Sequence, residues 1–232
     1  MKIDNRKELT RLISAMVLGD GCLFKAKNMI NVRYSFSQRH DHKDYFDWQC
    51  SVLENLTSIS VYHYAESKQR RAYYSLDTKS HPFYTTLRER MYFDGRKTVS
   101  PHDLRLFDWQ SAAVWYMDDG YILRSEDQKQ RGNVFLCTDH YTLAEVIILQ
   151  KVLWEKLGVP FDLRKRGHKK NGDRIHRLVL RSNNTARFLD GISKYVFPSF
   201  EYKLHTGSPT IVGDDIVCTV EESTDVCRND IR

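Results

Sequence analysis

LISAMVLGDG, residues 12–21, is typical of the end of an amphipathic helix, and AAVWYMDDG, residues 112–120, repeats the pattern about a hundred residues later. Apolar residues in and just before each stretch recur at the i, i+3, i+4 and i+7 spacing of one helix face. Each stretch places an aspartate, Asp20 or Asp119, directly before a glycine. An anion at a helix C-terminus is disfavoured by roughly 0.3–1 kcal/mol. Because this unfavourable arrangement occurs twice in the same local setting, it indicates a function for the two aspartates.

The ends of these two helices carry recognisable capping residues. Asp4 or Asn5 can accept hydrogen bonds at the start of the first helix, and Asp108 can do so for the second. We expect Gly21 to end the first helix in the left-handed conformation, and Gly120 to end the second.

The segments that follow the two helices also match each other. Each helix precedes two strand-like runs, a further helix, two more strands and a third helix, and each series closes near a lysine. An internal duplication explains this repeated order. The predicted fold is therefore α+β, with two pseudo-symmetric αββαββα repeats at residues 1–105 and 106–205. Residues 206–232 have no helical pattern and are assigned as a C-terminal extension of unknown role.

The composition argues against several classes of protein. The 232 residues contain no run of about 18 apolar residues and no signal region, so we expect no membrane partner and no secretion. The expected location is the cytoplasm, a nucleoid or an organelle matrix. The five cysteines have no zinc-ligand spacing and are predicted to be reduced thiols. Motifs for nucleotide, hydride and serine-hydrolase chemistry are missing, so no small-molecule substrate is indicated.

The charge is unevenly distributed along the chain. The net charge is +6, but residues 206–232 carry −4, which leaves +10 for residues 1–205. A basic body rich in aromatic residues favours a polyanionic partner, most often nucleic acid. A solvated basic surface would have the same charge, so composition alone leaves both interpretations open.

The two signature stretches resemble the central helices of LAGLIDADG homing endonucleases, in the monomeric form in which one chain carries both repeats. WYMDDG, with a KT motif upstream and a YKL motif near the end, most resembles the intron-encoded omega-type enzymes. The resemblance covers about residues 9–205. It implies that the two helices pack side by side at a pseudo-twofold axis, where small residues allow close approach. The residues that suit this role are Ser14, Ala15, Ala112 and Ala113.

The same resemblance assigns the two aspartates to metal binding and catalysis. Asp20 and Asp119 match the acidic position of the family motif, and the implied cofactor is a divalent cation such as Mg²⁺. Such ions can activate a water and stabilise the leaving oxygen in phosphodiester hydrolysis. Gly19 and Asp118, which directly precede the two aspartates, are further candidate metal-binding positions. On a helix Asp118 points about 100° away from Asp119, so it is interpreted as a support for the ligands or as solvent-facing, and only weakly as a ligand itself.

Lys97 and Lys203 match the family's basic residues near the metal ions. As catalytic residues they would orient the attacking water or stabilise charge on the phosphate. Each could instead contact a phosphate without a role in the reaction, or be solvated.

In such enzymes each repeat contributes a sheet that lies along the DNA major groove. Basic residues are densest in residues 162–181, around the hairpin signal Asn171-Gly172, and a basic hairpin can alternate between groove and phosphate contacts. The candidate DNA-binding residues of the first repeat are Lys25, Lys27, Arg33, Gln38, Arg39, Lys68, Arg70, Arg71 and Lys79. Those of the second repeat are Arg124, Lys129, Arg131, Arg164, Arg166, Lys169, Lys170, Arg174, Arg177 and Arg181. Because the two sets differ, the target is expected to be long and asymmetric.

The function implied by the resemblance is metal-dependent, site-specific cleavage of both strands of DNA across the minor groove by a monomer. Two alternatives remain on the same fold. A maturase-like protein would bind intron RNA, and a catalytically inactive protein would regulate by binding DNA. The retained Asp20 and Asp119 favour cleavage, because neither alternative needs the two carboxylates.

Overall fold

The computed structural model describes residues 2–3, 5–68, 70–123, 132–168, 172 and 174–204, apart from the side chain of Ser182. Some sequence predictions fall outside these residues and stay predictions. They concern Asp4, Arg124, Lys129, Arg131, Lys169, Lys170, Asn171 and the extension 206–232.

The first half of the chain forms one four-stranded antiparallel sheet with helices on one side. Its elements are α1 (Arg6–Leu18), β1 (Cys22–Phe24), β2 (Arg33–Arg39), α2 (Lys43–Leu53), β3 (Ile59–Tyr64), β4 (Tyr73–Thr78) and α3 (Pro82–Met91). The strand order in the sheet is β1-β2-β4-β3. A two-stranded hairpin, called here the Lys97 hairpin, and a short helix then lead to the second half: β5 (Tyr92–Phe93), β6 (Arg96–Lys97) and α4 (Pro101–Leu104).

The second half repeats this arrangement. Its elements are α5 (Trp109–Asp119), β7 (Gly120–Leu123), β8 (Asn133–Leu136), α6 (Leu143–Leu157), β9 (Asp162–His168), β10 (Arg174–Leu180) and α7 (Ser182–Ser193). The strand order β7-β8-β10-β9 matches that of the first sheet position by position. A 3₁₀ helix at Pro198–Lys203, called here the Lys203 helix, follows α7.

Side-chain caps start the two signature helices at the predicted places. Asn5 accepts a hydrogen bond from the main-chain N–H of Lys7, and Asp108 accepts one from that of Ser111. The prediction that Gly120 follows the second helix is also confirmed.

The predicted left-handed conformation of Gly21 is wrong. Helix α1 ends earlier, with Gly19 as its C-cap, and Gly21 is not among the residues with positive φ. Space explains the glycine instead. A Cβ at Gly21 would lie 2.7 Å from the carbonyl oxygen of Met16 and closer still to the hydroxyl of Tyr34.

Helices α1 and α5 pack against each other and join the two hydrophobic cores. Leu18 of α1 lies in the core of the second half, whereas Val114 and Met117 of α5 lie in that of the first. The small residues predicted at the helix contact are all buried: Ser14, Ala15, Ala112 and Ala113. The predicted α+β fold, with two antiparallel sheets and signature helices at the centre, is confirmed.

Cys22 and Cys50 are free thiols, as the sequence predicts for them. In the described part of the chain, none of the helices has the length and apolar character needed to cross a membrane.

Candidate active site

The two aspartates lie where the central helices meet the sheets. Asp119 is the last residue of α5, and Asp20 lies two residues beyond the end of α1. Each stands just before the first strand of its own sheet. Since α1 and α5 pack side by side, their ends bring the two carboxylates near each other, and the charge of Asp20 acts on Asp119.

The surroundings of both aspartates disfavour ionisation. Burial, and then the negative charge of Asp20, raise the pKa of Asp119 to about 8. Protein packed around Asp20 raises its pKa too, although the residue retains a solvent-exposed surface. The indole Nε1 of Trp115 donates a hydrogen bond to Asp119 Oδ2 at 3.2 Å and fixes that carboxylate. A nearby cation would favour the charged form of both groups.

Asp118 lies inside the contact between the two helix ends. Its Oδ2 accepts a hydrogen bond from the main-chain N–H of Asp20 at 3.2 Å. Its side chain occupies the space that a Cβ at Gly19 would need, since that Cβ would lie 2.8 Å from Asp118 Cγ. Burial, followed by the charges of the two neighbouring aspartates, raises the pKa of Asp118 well above its usual range. The solvent-facing interpretation of Asp118 is therefore wrong.

The two candidate lysines occupy equivalent places at the two helix ends. Lys97 Nζ donates to the carbonyl oxygen of Gly19 at 2.6 Å, and Lys203 Nζ donates to that of Met117, also at 2.6 Å. Cations suit the C-terminal end of a helix, where carbonyl groups lack partners. Burial lowers the pKa of Lys203 to about 8, against the opposing effect of the nearby aspartates. Neither lysine is merely solvated.

Asp20 and Asp119 are side chains that could hold a divalent cation between the two helix ends, although Asp119 Oδ2 also accepts from Trp115. Of the other two predicted positions, Gly19 accepts from Lys97 through its carbonyl oxygen, and Asp118 Oδ2 accepts from the main-chain N–H of Asp20. Among residues 2–204, wherever the structure describes them, no group of three or more His, Cys, Asp or Glu side chains has metal-binding geometry. A cation between the two carboxylates would take its other ligands from water or a substrate, as Mg²⁺ usually does.

The first sheet turns one face away from its helices, and we call this its outer face. Tyr34 and Phe36 of β2 point into the core, so the alternate residues of β2 point outward. From the strand register, the outer face carries Arg33, Ser35, Ser37, Arg39, Ser60, Tyr62, Tyr64, Tyr73, Ser75 and Asp77. Gln38 falls on the core-facing side, unlike the other β2 candidates. The remaining candidates of this half are exposed at the strand ends and in loops: Lys25, Lys27, Lys68, Arg70, Arg71 and Lys79.

The second sheet has an outer face of different chemistry. Tyr121 and Phe135 stack there with ring centroids 4.9 Å apart, and the guanidinium groups of Arg164 and Arg177 lie 5.8 and 6.0 Å from these rings. Arg166 donates to the Tyr121 hydroxyl at 3.4 Å.

Three candidate arginines, on β10 or directly after it, differ in exposure and in their ion pairs. Arg177 is 3% exposed and forms a bidentate ion pair with Asp139. Arg181 is 78% exposed and pairs with Asp162, whereas Arg174 is exposed at the start of β10.

Sequence reasoning named Tyr73 but missed the other aromatic residues of these faces. Tyr62 and Tyr64 alternate along ISVYHY, and this period-two pattern could have placed them on the outer face. Tyr121 and Asp139 had no comparable signal, because their importance depends on contacts with β9 and β10.

A sequence model of the LAGLIDADG DNA endonuclease family matches residues 11–188. The match spans both halves of the fold and both signature helices. The chain belongs to this family.

Proteins of similar sequence have names that describe different functions. Protein RecA of Mycobacterium gastri is 27% identical over 202 residues, which are 83% of this chain and 46% of that protein. The chain thus spans about half the length of that relative. The cytochrome b mRNA maturase bI2 of Debaryomyces hansenii is 26% identical over 205 residues, 85% of this chain and 74% of the maturase.

A solved structure with a similar fold is that of the homing endonuclease I-WcaI bound to its DNA recognition sequence. It has a TM-score of 0.70 and 19% sequence identity, and the match covers 86% of each chain. At this identity the similarity establishes the fold.

Proposed function

We propose that this protein is a site-specific homing endonuclease that hydrolyses both strands of a long, asymmetric DNA target across the minor groove. The observation that carries the proposal is the pair of carboxylates at adjacent helix ends, each accompanied by a lysine on a helix-end carbonyl. Family membership and a fold shared with a DNA-bound homing endonuclease support it. The test is cleavage of selected DNA in the presence of Mg²⁺, as described below.

A divalent cation, which we propose to be Mg²⁺, fits the chemistry of this site. Asp20 and Asp119 are hard oxygen ligands, and a bound cation would favour their charged forms against the burial that raises both pKa values. When bound, the cation supplies an activated water and stabilises the leaving oxygen. Trp115 holds the Asp119 carboxylate in one orientation, and Asp118 holds the backbone of Asp20.

The two lysines supply positive charge close to the reacting phosphate. Lys203, with its pKa lowered to about 8, can hold or release a proton near neutral pH. Lys97 is fixed by Gly19 and can stabilise charge on a phosphate oxygen without large movement.

The outer faces of the two sheets are proposed to hold the DNA. The first face combines serines and tyrosines with Arg33 and Arg39, whereas the second gathers Arg164 and Arg166 around stacked rings. Two chemically different faces read different half-sites, which supports an asymmetric target. A DNA target places the activity in the cytoplasm, a nucleoid or an organelle matrix.

A maturase-like role in binding intron RNA is the second candidate function. The similarity to a protein named as a cytochrome b mRNA maturase is the observation that favours it. RNA binding without cleavage does not need the Asp20 and Asp119 pair, so dependence on these residues separates the two functions. A DNA-binding regulator without catalysis is separated in the same way.

We expect Arg164 and Arg166 to contribute phosphate contacts to DNA affinity. Replacing both with alanine should flatten the slope of log K against log salt by up to about two units, since each contact contributes about −0.9. The measurement is DNA binding across a salt series. The matched control is Lys151→Ala with Lys156→Ala on α6, on the opposite side of the sheet, which should leave the slope unchanged. Equal slopes for both double variants would remove this face from the proposed DNA interface.

We expect one protein chain to act on each DNA site. Both halves of the fold and both aspartates are in a single chain, so no second copy is needed to complete the site. Sedimentation of the protein alone and of its DNA complex should give masses for one chain. A complex with two chains per site would contradict this.

A further inference from the structure

The Lys97 hairpin of the first half is bound to the second half. Glu145, in the first turn of α6, accepts hydrogen bonds from Arg96 Nη1 at 2.9 Å and Nη2 at 3.1 Å, and from the hydroxyl of Thr98. These donors flank Lys97 in the chain, so one buried carboxylate holds the side chains on both sides of the lysine. Glu145 also forms a capping box with Thr142, which orients the carboxylate at the start of α6.

The Lys203 helix of the second half is bound to the first half in the corresponding way. Asp44, in the first turn of α2, accepts hydrogen bonds from the main-chain N–H of Ser199 at 3.1 Å and from its hydroxyl at 2.5 Å. His42, just before α2, stacks on Phe200 with ring centroids 3.9 Å apart. Because α2 and α6 occupy the same position in the two halves, the two attachments follow the pseudo-symmetry of the fold.

These contacts favour the ionised form of both carboxylates. Burial opposes ionisation of Glu145, but hydrogen bonds from Arg96 and Thr98 lower its pKa to about 2. Burial likewise opposes ionisation of Asp44, yet the hydrogen bonds from Ser199 lower its pKa. Charge-assisted hydrogen bonds of this kind are shorter and stronger than those between neutral groups.

We propose that Glu145 and Asp44 are positioning residues, each of which holds the lysine of the opposite half at the end of a central helix. This rests on the endonuclease function proposed above and adds to it. Lys97 meets Gly19 while β6 is bound to α6, and Lys203 meets Met117 while its 3₁₀ helix is bound to α2. Formation of the catalytic site thus depends on docking of the two halves.

A double-mutant cycle tests the proposal on the whole protein. Glu145→Gln should slow single-turnover cleavage by about 10–100-fold at saturating DNA. In a Lys97→Met background the same change should cost less than about threefold, because the lysine it positions is gone. Asp44→Asn should behave in the same way towards Lys203→Met.

The crossed pairs are matched internal controls. Glu145→Gln with Lys203→Met, and Asp44→Asn with Lys97→Met, should multiply their separate effects. Equal effects of Glu145→Gln in both lysine backgrounds would assign Glu145 a purely structural role and overturn the proposal. Should Glu145→Gln be unfolded at the assay temperature, Thr98→Val, which removes one donor to Glu145, takes its place in the cycle.

A second readout does not depend on cleavage. The Cε–Hε NMR signals of Lys97 and Lys203 can be assigned with the two methionine variants. Glu145→Gln should shift the Lys97 signal and leave that of Lys203 in place, and Asp44→Asn should do the opposite. If neither substitution shifts a lysine signal, the positioning role is overturned. If instead the wild-type protein cuts no DNA, only the endonuclease function is overturned.

Discussion

Replacing Asp20 or Asp119 with asparagine should abolish double-strand cleavage, with a rate lower by about a thousandfold or more, while DNA affinity changes less than about threefold. Asparagine keeps the shape of the side chain but removes the charge that would hold a divalent cation, and removal of a single charge-stabilising group already costs about 10²–10³. The DNA contacts proposed for the sheets are untouched. Cleavage and mobility-shift assays on the same duplex measure both quantities.

One control and one stability measurement make this prediction specific. Asp190→Asn, an exposed substitution on α7, should cut at the wild-type rate. In the absence of metal at pH 8, the free energy of unfolding of the two active-site variants should be at least that of wild type. Because the folded-state pKa of Asp119 is raised from 3.8 to about 8, folding is increasingly opposed as pH rises through this window, and asparagine removes that penalty. Full-rate cutting by either active-site variant would remove the assignment.

Gly19→Ala should disable the site through packing. The added Cβ would lie 2.8 Å from Asp118 Cγ, and closer to its Oδ2, so Asp118 must move and release the main-chain N–H of Asp20. We expect a loss of about 1–3 kcal/mol in the free energy of unfolding and a cleavage rate lower by at least about tenfold. Urea unfolding and single-turnover cleavage measure the two effects.

Gly167→Ala is the matched control for Gly19→Ala. Gly167 lies in β9, and a Cβ there would have no neighbour within 4 Å. This substitution should change unfolding by less than about 0.5 kcal/mol. Similar losses for both variants would mean that close packing at Gly19 is not what the site requires.

Local sequence patterns were sufficient to predict the central helices and the repeated order of elements. The apolar stripe of α1 and the caps at Asn5 and Asp108 are set by residues close in sequence. The predicted conformation of Gly21 was wrong. The requirement for glycine there comes from the carbonyl oxygen of Met16 and from Tyr34 on β2, and the contact with Tyr34 exists only in the folded sheet.

The family motif was sufficient to propose candidate site residues, but the prediction did not include the residues outside the motif that contact them. Helical geometry predicts that Asp118 points away from Asp119, but it could not reveal that this side chain packs against Gly19 of the other helix. The attachments of Glu145 and Asp44 connect residues far apart in sequence. No local pattern encodes such a contact, because it arises only when the two halves dock.

The central claim is that Asp20 and Asp119 together cut both strands of one specific DNA sequence. The most direct test selects duplexes bound by the protein from a random-sequence library, exposes them to wild type and to Asp119→Asn with Mg²⁺, and sequences the ends produced. We predict ends at one long, asymmetric sequence for wild type, none after chelation of the metal, and none for Asp119→Asn although it selects the same sequence. Ends scattered over unrelated sequences, or identical ends from Asp119→Asn, would contradict the claim.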